Sequence, residues 1–191
     1  MPHHHHEDKH NHKPHEHKGK TSRNFIDTKE VLSHLDISEG QTIMDAGCGD
    51  GYMAQEFAAL VKSTGRVYAM DADDEAIANL KKASETNTLE PVVGDITEKT
   101  NLAESSIDLI YISNVMHGFS ESQTAGFVKE VQRLLKSGGT LAVLEFKKEE
   151  TPHGPPLEIR ISPQELRKMV PLKPKRMADI GKSSYLQLFE K

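Results

Sequence analysis

Residues 44–54 read MDAGCGDGYMA, with glycine at every second position from Gly47 through Gly49 to Gly51. A short apolar run, QTIMDA (41–46), leads into the glycines, and GYMAQEFAALVKSTG (51–65) follows with helical spacing and a closing glycine. Glycine permits positive φ and lets a backbone approach a ligand with no Cβ in the way. A glycine-rich turn between a strand and a helix also turns backbone N–H groups outward. The stretch therefore reads as strand, ligand-facing turn, helix.

The same alternation continues outward. FIDTKEVLSHLDI (25–37) reads as a leading helix. RVYAMD (66–71), EPVVGD (90–95), SIDLIYISN (106–114) and TLAVLEF (140–146) read as strands. Between them lie the helical stretches DDEAIANLKKASETN (73–87), with Asp73 or Asp74 as N-cap, and SESQTAGFVKEVQRLLKSGG (120–139), with a Gly-Gly stop. SPQELRKMV (162–170) is a short helix capped by Ser162 with Pro163 in its first turn. KRMADIGK (175–182) and SSYLQLFEK (183–191) form an antiparallel pair. Strands alternating with helices predict an α/β fold: a doubly wound, Rossmann-like, seven-stranded, mostly parallel sheet with a C-terminal antiparallel strand pair. Ligands of such sheets bind beyond the carboxyl ends of the strands. Asp45–Gly51, Asp71, Asp95, Asn114–Phe119 and Glu145–Lys148 all fall at or just after predicted strands.

The chain has 191 residues, 36% of them hydrophobic, which suits one domain with a real core over residues 23–191. A net charge of −5 offers no global basic field for nucleic acid. No apolar run is long enough to span a membrane, and the polar start is unlike a signal peptide. The single cysteine, Cys48, allows no intrachain disulfide and suits a reducing cytoplasm. Oligomeric state is left open. Residues 1–22 hold eight of the eleven histidines and no core residue after Met1, so they read as a disordered tail. His3, His4, His5, His6, His10, His12, His15 and His17 are candidate ligands for a divalent metal. A purification remnant or a solvated tail without a role are the bland alternatives, and the spacing defines no closed tetrahedral site.

Two cofactor classes use such a loop: dinucleotides and S-adenosylmethionine. The dinucleotide pattern G-x-G-x-x-G requires glycine at position 52, which is Tyr52. Asp45, directly before the turn, would repel a pyrophosphate and attract a ligand carrying an ammonium and a sulfonium. VYAMD, PVVGDI and IDLIYISNVMHGF follow MDAGCGDG at intervals that resemble those of class I S-adenosylmethionine-dependent methyltransferases. The resemblance covers about residues 25–191 and is nearest the small quinone- and sterol-type enzymes. It implies that Asp45 and the loop of Gly47, Cys48, Gly49 and Gly51 lie along the methionine part. It implies that Asp71, with Ala72 beside it, accepts from the ribose hydroxyls. Asp95 would hold the adenine amino group, with the Ile96 backbone at the ring edge, and Asn114 would approach the methionine moiety. The residues agree for Asp71, which lies twenty positions after Gly51, where a carboxylate can reach both hydroxyls of a ribose. Cys48 itself reads as a small packed residue, not a nucleophile.

Methyl transfer from a sulfonium is an in-line displacement, so catalysis can rest mainly on positioning. A base is needed only where the acceptor must lose a proton. His117 in NVMHGF is the candidate for that role, against a packed or solvent-facing histidine. Glu145 reads equally as a site acid or a structural one. Residues 146–160, FKKEETPHGPPLEIR, read as a lid or specificity loop over the acceptor pocket, or as a plain connection. Lys147, Lys148 and Arg160 are charges that an anionic acceptor could meet there, or simply a solvated charge run. Asn114-Val115-Met116 does not resemble the [DNS]-P-P-[YFW] stretch of DNA amino-methyltransferases, and one cysteine does not resemble the arsenic-methylating pattern. The expectation is a small-molecule O, N or S acceptor, no nucleic-acid partner, and S-adenosylhomocysteine as product. The alternatives are a non-catalytic cofactor-binding domain with a metal-binding tail, and a nicotinamide oxidoreductase, which the glycine spacing disfavours.

Overall fold

The computed structural model describes residues 26–84 and 86–191; the histidines proposed as metal ligands lie outside the described residues. Seven strands form one sheet: β1 (Thr42–Ala46), β2 (Arg66–Asp71), β3 (Leu89–Val93), β4 (Ile107–Ser113), β5 (Leu135–Phe146), β6 (Lys173–Ile180) and β7 (Ser184–Glu190), in the order β3-β2-β1-β4-β5-β7-β6. β3 through β5 are parallel, and β7 runs antiparallel to both β5 and β6. The chain winds from β1 toward β3, then returns to the other side of β1 with β4. The switch point therefore lies between β1 and β4, where Asp45 pairs with Tyr111.

Alternation along the strands fills two cores. Ile43, Leu109, Tyr111, Ala142 and Leu144 face one side. There α1 (Thr28–Ser33), α2 (Tyr52–Val61) and α3 (Asp74–Ala83) cover them with Val31, Phe57, Val61, Ile77 and Leu80. Met44, Ala46, Ile110, Ile112, Leu141 and Val143 face the other side, covered by Phe127, Val131 and Leu134 of α4 (Glu121–Leu134) and Leu166 of α5 (Pro163–Met169). Helix starts follow the sequence: Asp73 accepts from the Glu75 and Ala76 amides, and Ser120/Gln123 and Ser162/Glu165 form capping boxes.

Four helices end earlier than their sequence pattern suggests, α3 among them, which stops at Ala83 where Ser84 turns extended. The leading helix begins at Asp27, whose carboxylate accepts from Glu30 N–H, and is over before Asp36 turns to φ 49°. α2 stops at Val61 because Lys62 takes φ 56°. α4 does not reach Gly138-Gly139: Leu135 turns extended and fully buried to pair with Ile107, so β5 starts before the glycines. Burial on the sheet outweighs one further helical turn there. β6, the outer edge, carries Lys173, Pro174, Lys175 and Arg176 on an exposed strand, which discourages edge-to-edge pairing. Among the described residues no helix is long and apolar enough to cross a membrane.

Phe57 is fully buried, with its ring edge-on to Tyr111 at 5.4 Å. Phe57→Ala is expected to destabilise the fold by about 3–5 kcal/mol, read as a lower urea midpoint at unchanged slope.

Candidate active site

The turn between β1 and α2 takes three left-handed residues in five, with φ 72° at Gly47, 54° at Gly49 and 74° at Gly51. Only glycine adopts such a run without strain. The Gly47 and Cys48 amides both donate to the Met70 carbonyl, at 2.8 and 3.0 Å. A Cβ at Gly47 would lie 2.7 Å from Val115 Cγ2, and one at Gly51 would lie 2.4 Å from Leu80 Cδ2. A Cβ at Gly49 would meet nothing within 4 Å. Thus close protein packing explains two of the bare positions, and only Gly49 faces open space.

Asp71, at the end of β2, holds this turn. Its Oδ2 accepts from Gly49 N–H at 2.8 Å and its Oδ1 from Asp73 N–H at 2.9 Å. Each oxygen keeps a further lone pair. Ala72 beside it is exposed. Asp95 lies past β3; its Oδ1 accepts from the Thr97 amide at 2.8 Å and the Thr97 hydroxyl at 2.7 Å, and no described residue donates to its Oδ2. Ile96 is buried beneath it. Asn114, past β4, sits at φ 56° with its N–H on the Leu144 carbonyl at 2.8 Å and its Nδ2 on Ser113 Oγ at 3.3 Å. The sequence reading missed two features here. Thr97 fixes Asp95 through a local Asx-type turn that the spacing D-I-T signals. Val93, at the carboxyl end of β3 and paired with Asp71, is 51% exposed and offers an apolar surface beside both carboxylates.

Asp45 is 3% exposed, and its Oδ2 finds no hydrogen-bond partner among the described residues. Burial, reinforced by Asp71 and Asp50, pushes its carboxyl from 3.8 up to about 7, against the Ala54 N–H pulling the other way. Asn114 Oδ1 is also buried without a partner among the described residues. Buried acceptors left so are uncommon and ask for a donor. S-adenosylmethionine brings an ammonium, two ribose hydroxyls, an adenine amino group and a sulfonium. The acceptor-rich edge of Asp45, Asp71, Asp95 and Asn114 fits that donor set, while three carboxylates around the turn would repel a pyrophosphate. Cys48 is buried with its Sγ 3.8 Å from the Gly49 carbonyl oxygen, and burial, with Asp45 and Asp71 nearby, drives its thiol well above the usual range, which disfavours a thiolate nucleophile.

Twenty-eight residues apart in sequence, His117 and Glu145 meet. His117 lies in a 3-10 turn (Met116–Gly118) after β4, and Glu145 lies near the end of β5. His117 Nδ1 is 2.8 Å from Glu145 Oε2, and His117 N–H donates to Oε1 at 3.2 Å. The side chains are 6% and 1% exposed. A carboxylate can only accept, so His117 Nδ1 is the donor of this bond when Glu145 is in that form.

The charges of the following loop, which could have met an anionic acceptor or stayed solvated, have partners within the protein. Lys147 Nζ lies 3.2 Å from Asp179, Lys148 Nζ lies 2.7 Å from Glu165, and the Arg160 guanidinium donates to loop oxygens. Among the described residues no group of three or more His, Cys, Asp or Glu is placed to hold a metal ion.

Asp45→Asn separates ligand fit from stability. A carboxyl raised in the fold favours the folded state fully below about pH 4, and that contribution is lost as pH rises through about 7. The variant is therefore expected to be more stable than wild type at pH 8 by on the order of 2–4 kcal/mol, with the gain vanishing near pH 3.5. Urea melts across pH read this directly. S-adenosylhomocysteine affinity should fall about tenfold or more in the same variant.

A family model described as a methyltransferase domain matches residues 43–139, just over half of the chain. A ubiquinone/menaquinone biosynthesis C-methyltransferase of Klebsiella pneumoniae is 32% identical over 118 residues, covering 59% of this chain and 45% of the relative. An uncharacterized methyltransferase of Synechocystis is 30% identical over 115 residues, covering 60% and 51%. The chain spans about half the length of these curated relatives. The structure of a SAM-dependent methyltransferase from Aquifex aeolicus superposes with a TM-score of 0.80 at 26% identity, covering 89% of this chain and 93% of that one. The glycine turn, the acidic strand ends and these likenesses agree: the chain belongs to the class I S-adenosylmethionine-dependent methyltransferase family.

Proposed function

We propose that this domain transfers a methyl group from S-adenosylmethionine to a small-molecule acceptor that must lose a proton, with His117 as the base. The observation that carries the reading is the buried His117–Glu145 pair at 2.8 Å, beside Asn114 at the carboxyl edge of β4 and β5. When bound, the cofactor supplies an electrophilic methyl on sulfur, whose leaving group is a neutral thioether. Asp71 and Asp95 hold the nucleoside, and Asp45 and Asn114 face the methionine end. With Nδ1 committed to Glu145, proton uptake falls to Nε2, and the imidazolium formed lies against a carboxylate. A buried charge-paired base has no use with an acceptor that carries no proton to lose. It suits a phenolic or thiol group, or an ammonium. The Klebsiella relative is named a C-methyltransferase of quinone biosynthesis. Hydroxylated aromatics are therefore the first acceptors to test.

A net charge of −5 and the absence of a broad basic face in the sequence favour a small molecule over nucleic acid, and the lone buried cysteine favours a reducing compartment. The alternative, a binding domain without turnover that works through its histidine tail, would bind the cofactor and transfer no methyl group to any acceptor.

Calorimetric titration of S-adenosylhomocysteine beside NADH, on wild type and Asp71→Ala, tests the cofactor. Saturable nucleoside binding that weakens sharply in the variant is expected, with no NADH uptake. Methyl transfer to a panel of phenols, thiols and amines tests the reaction. His117→Gln is expected to lower kcat/KM by roughly 10²–10⁴, with S-adenosylhomocysteine affinity unchanged. Equal activity in His117→Gln would remove the base from the mechanism.

A further inference from the structure

Arg160 is buried, 6% exposed, yet no carboxylate among the described residues pairs with it. Its guanidinium is instead wrapped by its own upstream loop. Nε donates to the Pro155 carbonyl at 2.8 Å. Nη1 donates to the Lys147 and Glu149 carbonyls at 3.0 and 2.7 Å and to Thr151 Oγ1 at 2.7 Å. Nη2 donates to the His153 carbonyl at 3.2 Å. Its Cζ lies 5.6 Å from the centre of the Phe146 ring. Gly154 makes the wrap possible: φ is 118°, and a Cβ there would lie 2.8 Å from Phe146 Cδ1 and 3.0 Å from Arg160 Nη2. Outside this knot, Lys147 reaches Asp179 on β6 and Lys148 reaches Glu165 on α5. The Lys147 amide also donates to the Ser183 carbonyl at 2.9 Å.

A buried cation satisfied only by carbonyl and hydroxyl dipoles is costly to desolvate unless every donor is met. Here the planar fork meets five acceptors spread over nine residues, a task the three donors of a lysine cannot fill. Such a loop has one conformation while Arg160 holds it. It begins two residues after Glu145, the partner of His117, past the carboxyl end of β5.

We propose that Arg160 is a positioning residue for the methyl acceptor: it locks residues 147–155 into a fixed wall beside the His117–Glu145 pair, where the sequence left a lid, a specificity loop or a plain connection open. This rests on the methyl-transfer reading above. A wall is set before the cofactor arrives, whereas a lid would tighten when it binds.

The test uses the full chain with S-adenosylhomocysteine, trypsin and the panel acceptor that wild type turns over fastest. In wild type, cleavage after Lys147 and Lys148 should be slow and unchanged by S-adenosylhomocysteine. In Arg160→Ala and Arg160→Lys, cleavage there should rise at least about tenfold, since local opening sets the rate. Acceptor KM should rise about tenfold with kcat changed far less, and S-adenosylhomocysteine affinity should hold within about twofold. Guanidinium ion at millimolar level should restore KM to Arg160→Ala but not to Arg160→Lys. Gly154→Ala, which keeps the arginine, should reproduce the KM effect and covers the case in which Arg160→Ala does not fold. Protection that appears in wild type only with S-adenosylhomocysteine would make the loop a lid and overturn the proposal. Unchanged cleavage or acceptor KM in the variants would overturn it equally. If no panel acceptor is turned over, methyl transfer fails on its own terms, and the proteolysis still decides for or against the fixed wall.

Discussion

The Asp71 carboxylate is the tie on which the ligand end of the sheet depends. One oxygen takes the Gly49 amide and the other takes the Asp73 amide, so one side chain fixes the glycine turn against the start of α3. The turn itself has three left-handed residues and cannot be held by helix or sheet ladders alone. Bonds from the Gly47 and Cys48 amides to the Met70 carbonyl complete the hold from the same strand. Both Asp71 oxygens still have a lone pair to offer, so the residue that builds the turn can also serve the ligand the turn faces.

Around that tie the domain concentrates negative charge where no lysine or arginine among the described residues answers it. Asp45 is enclosed with one oxygen unpartnered, and Asp71 and Asp50 raise its pKa further. This arrangement works against folded stability at neutral pH. It is the kind of strain a fold keeps at a binding site, where the missing donor comes from a ligand. Across the switch point the opposite strategy holds. Glu145 is hydrogen-bonded by His117, and the Arg160 guanidinium is solvated by the carbonyls of its own loop.

Much of this was legible in the chain. The strand–turn–helix reading of 41–65, the three acidic strand ends, the N-caps at Asp73 and Ser162 and the final antiparallel pair all rest on short-range rules of hydrogen bonding and side-chain periodicity. Helix ends were less legible. Leu135 and Lys62 leave their helices for reasons that lie elsewhere, in the Ile107 ladder and in the path back to the sheet. The reason for the glycines was only partly visible. Positive φ is a local property, but the contacts of Gly47 with Val115 and Gly51 with Leu80 join residues 68 and 29 positions apart.

The sequence by itself determined the fold class and the family resemblance, because alternating apolar patterns and a glycine turn after a strand admit few packings. It also marked His117 and Glu145 as polar residues at strand ends, without joining them. Only the tertiary structure decided that they form a pair, that Arg160 faces its own loop instead of an acceptor, and that Asp45 is enclosed without a full set of partners. Each of these depends on strand register and on which loop folds over which strand. Those are set by the packing of two cores on one sheet, and no window of neighbouring residues carries that information.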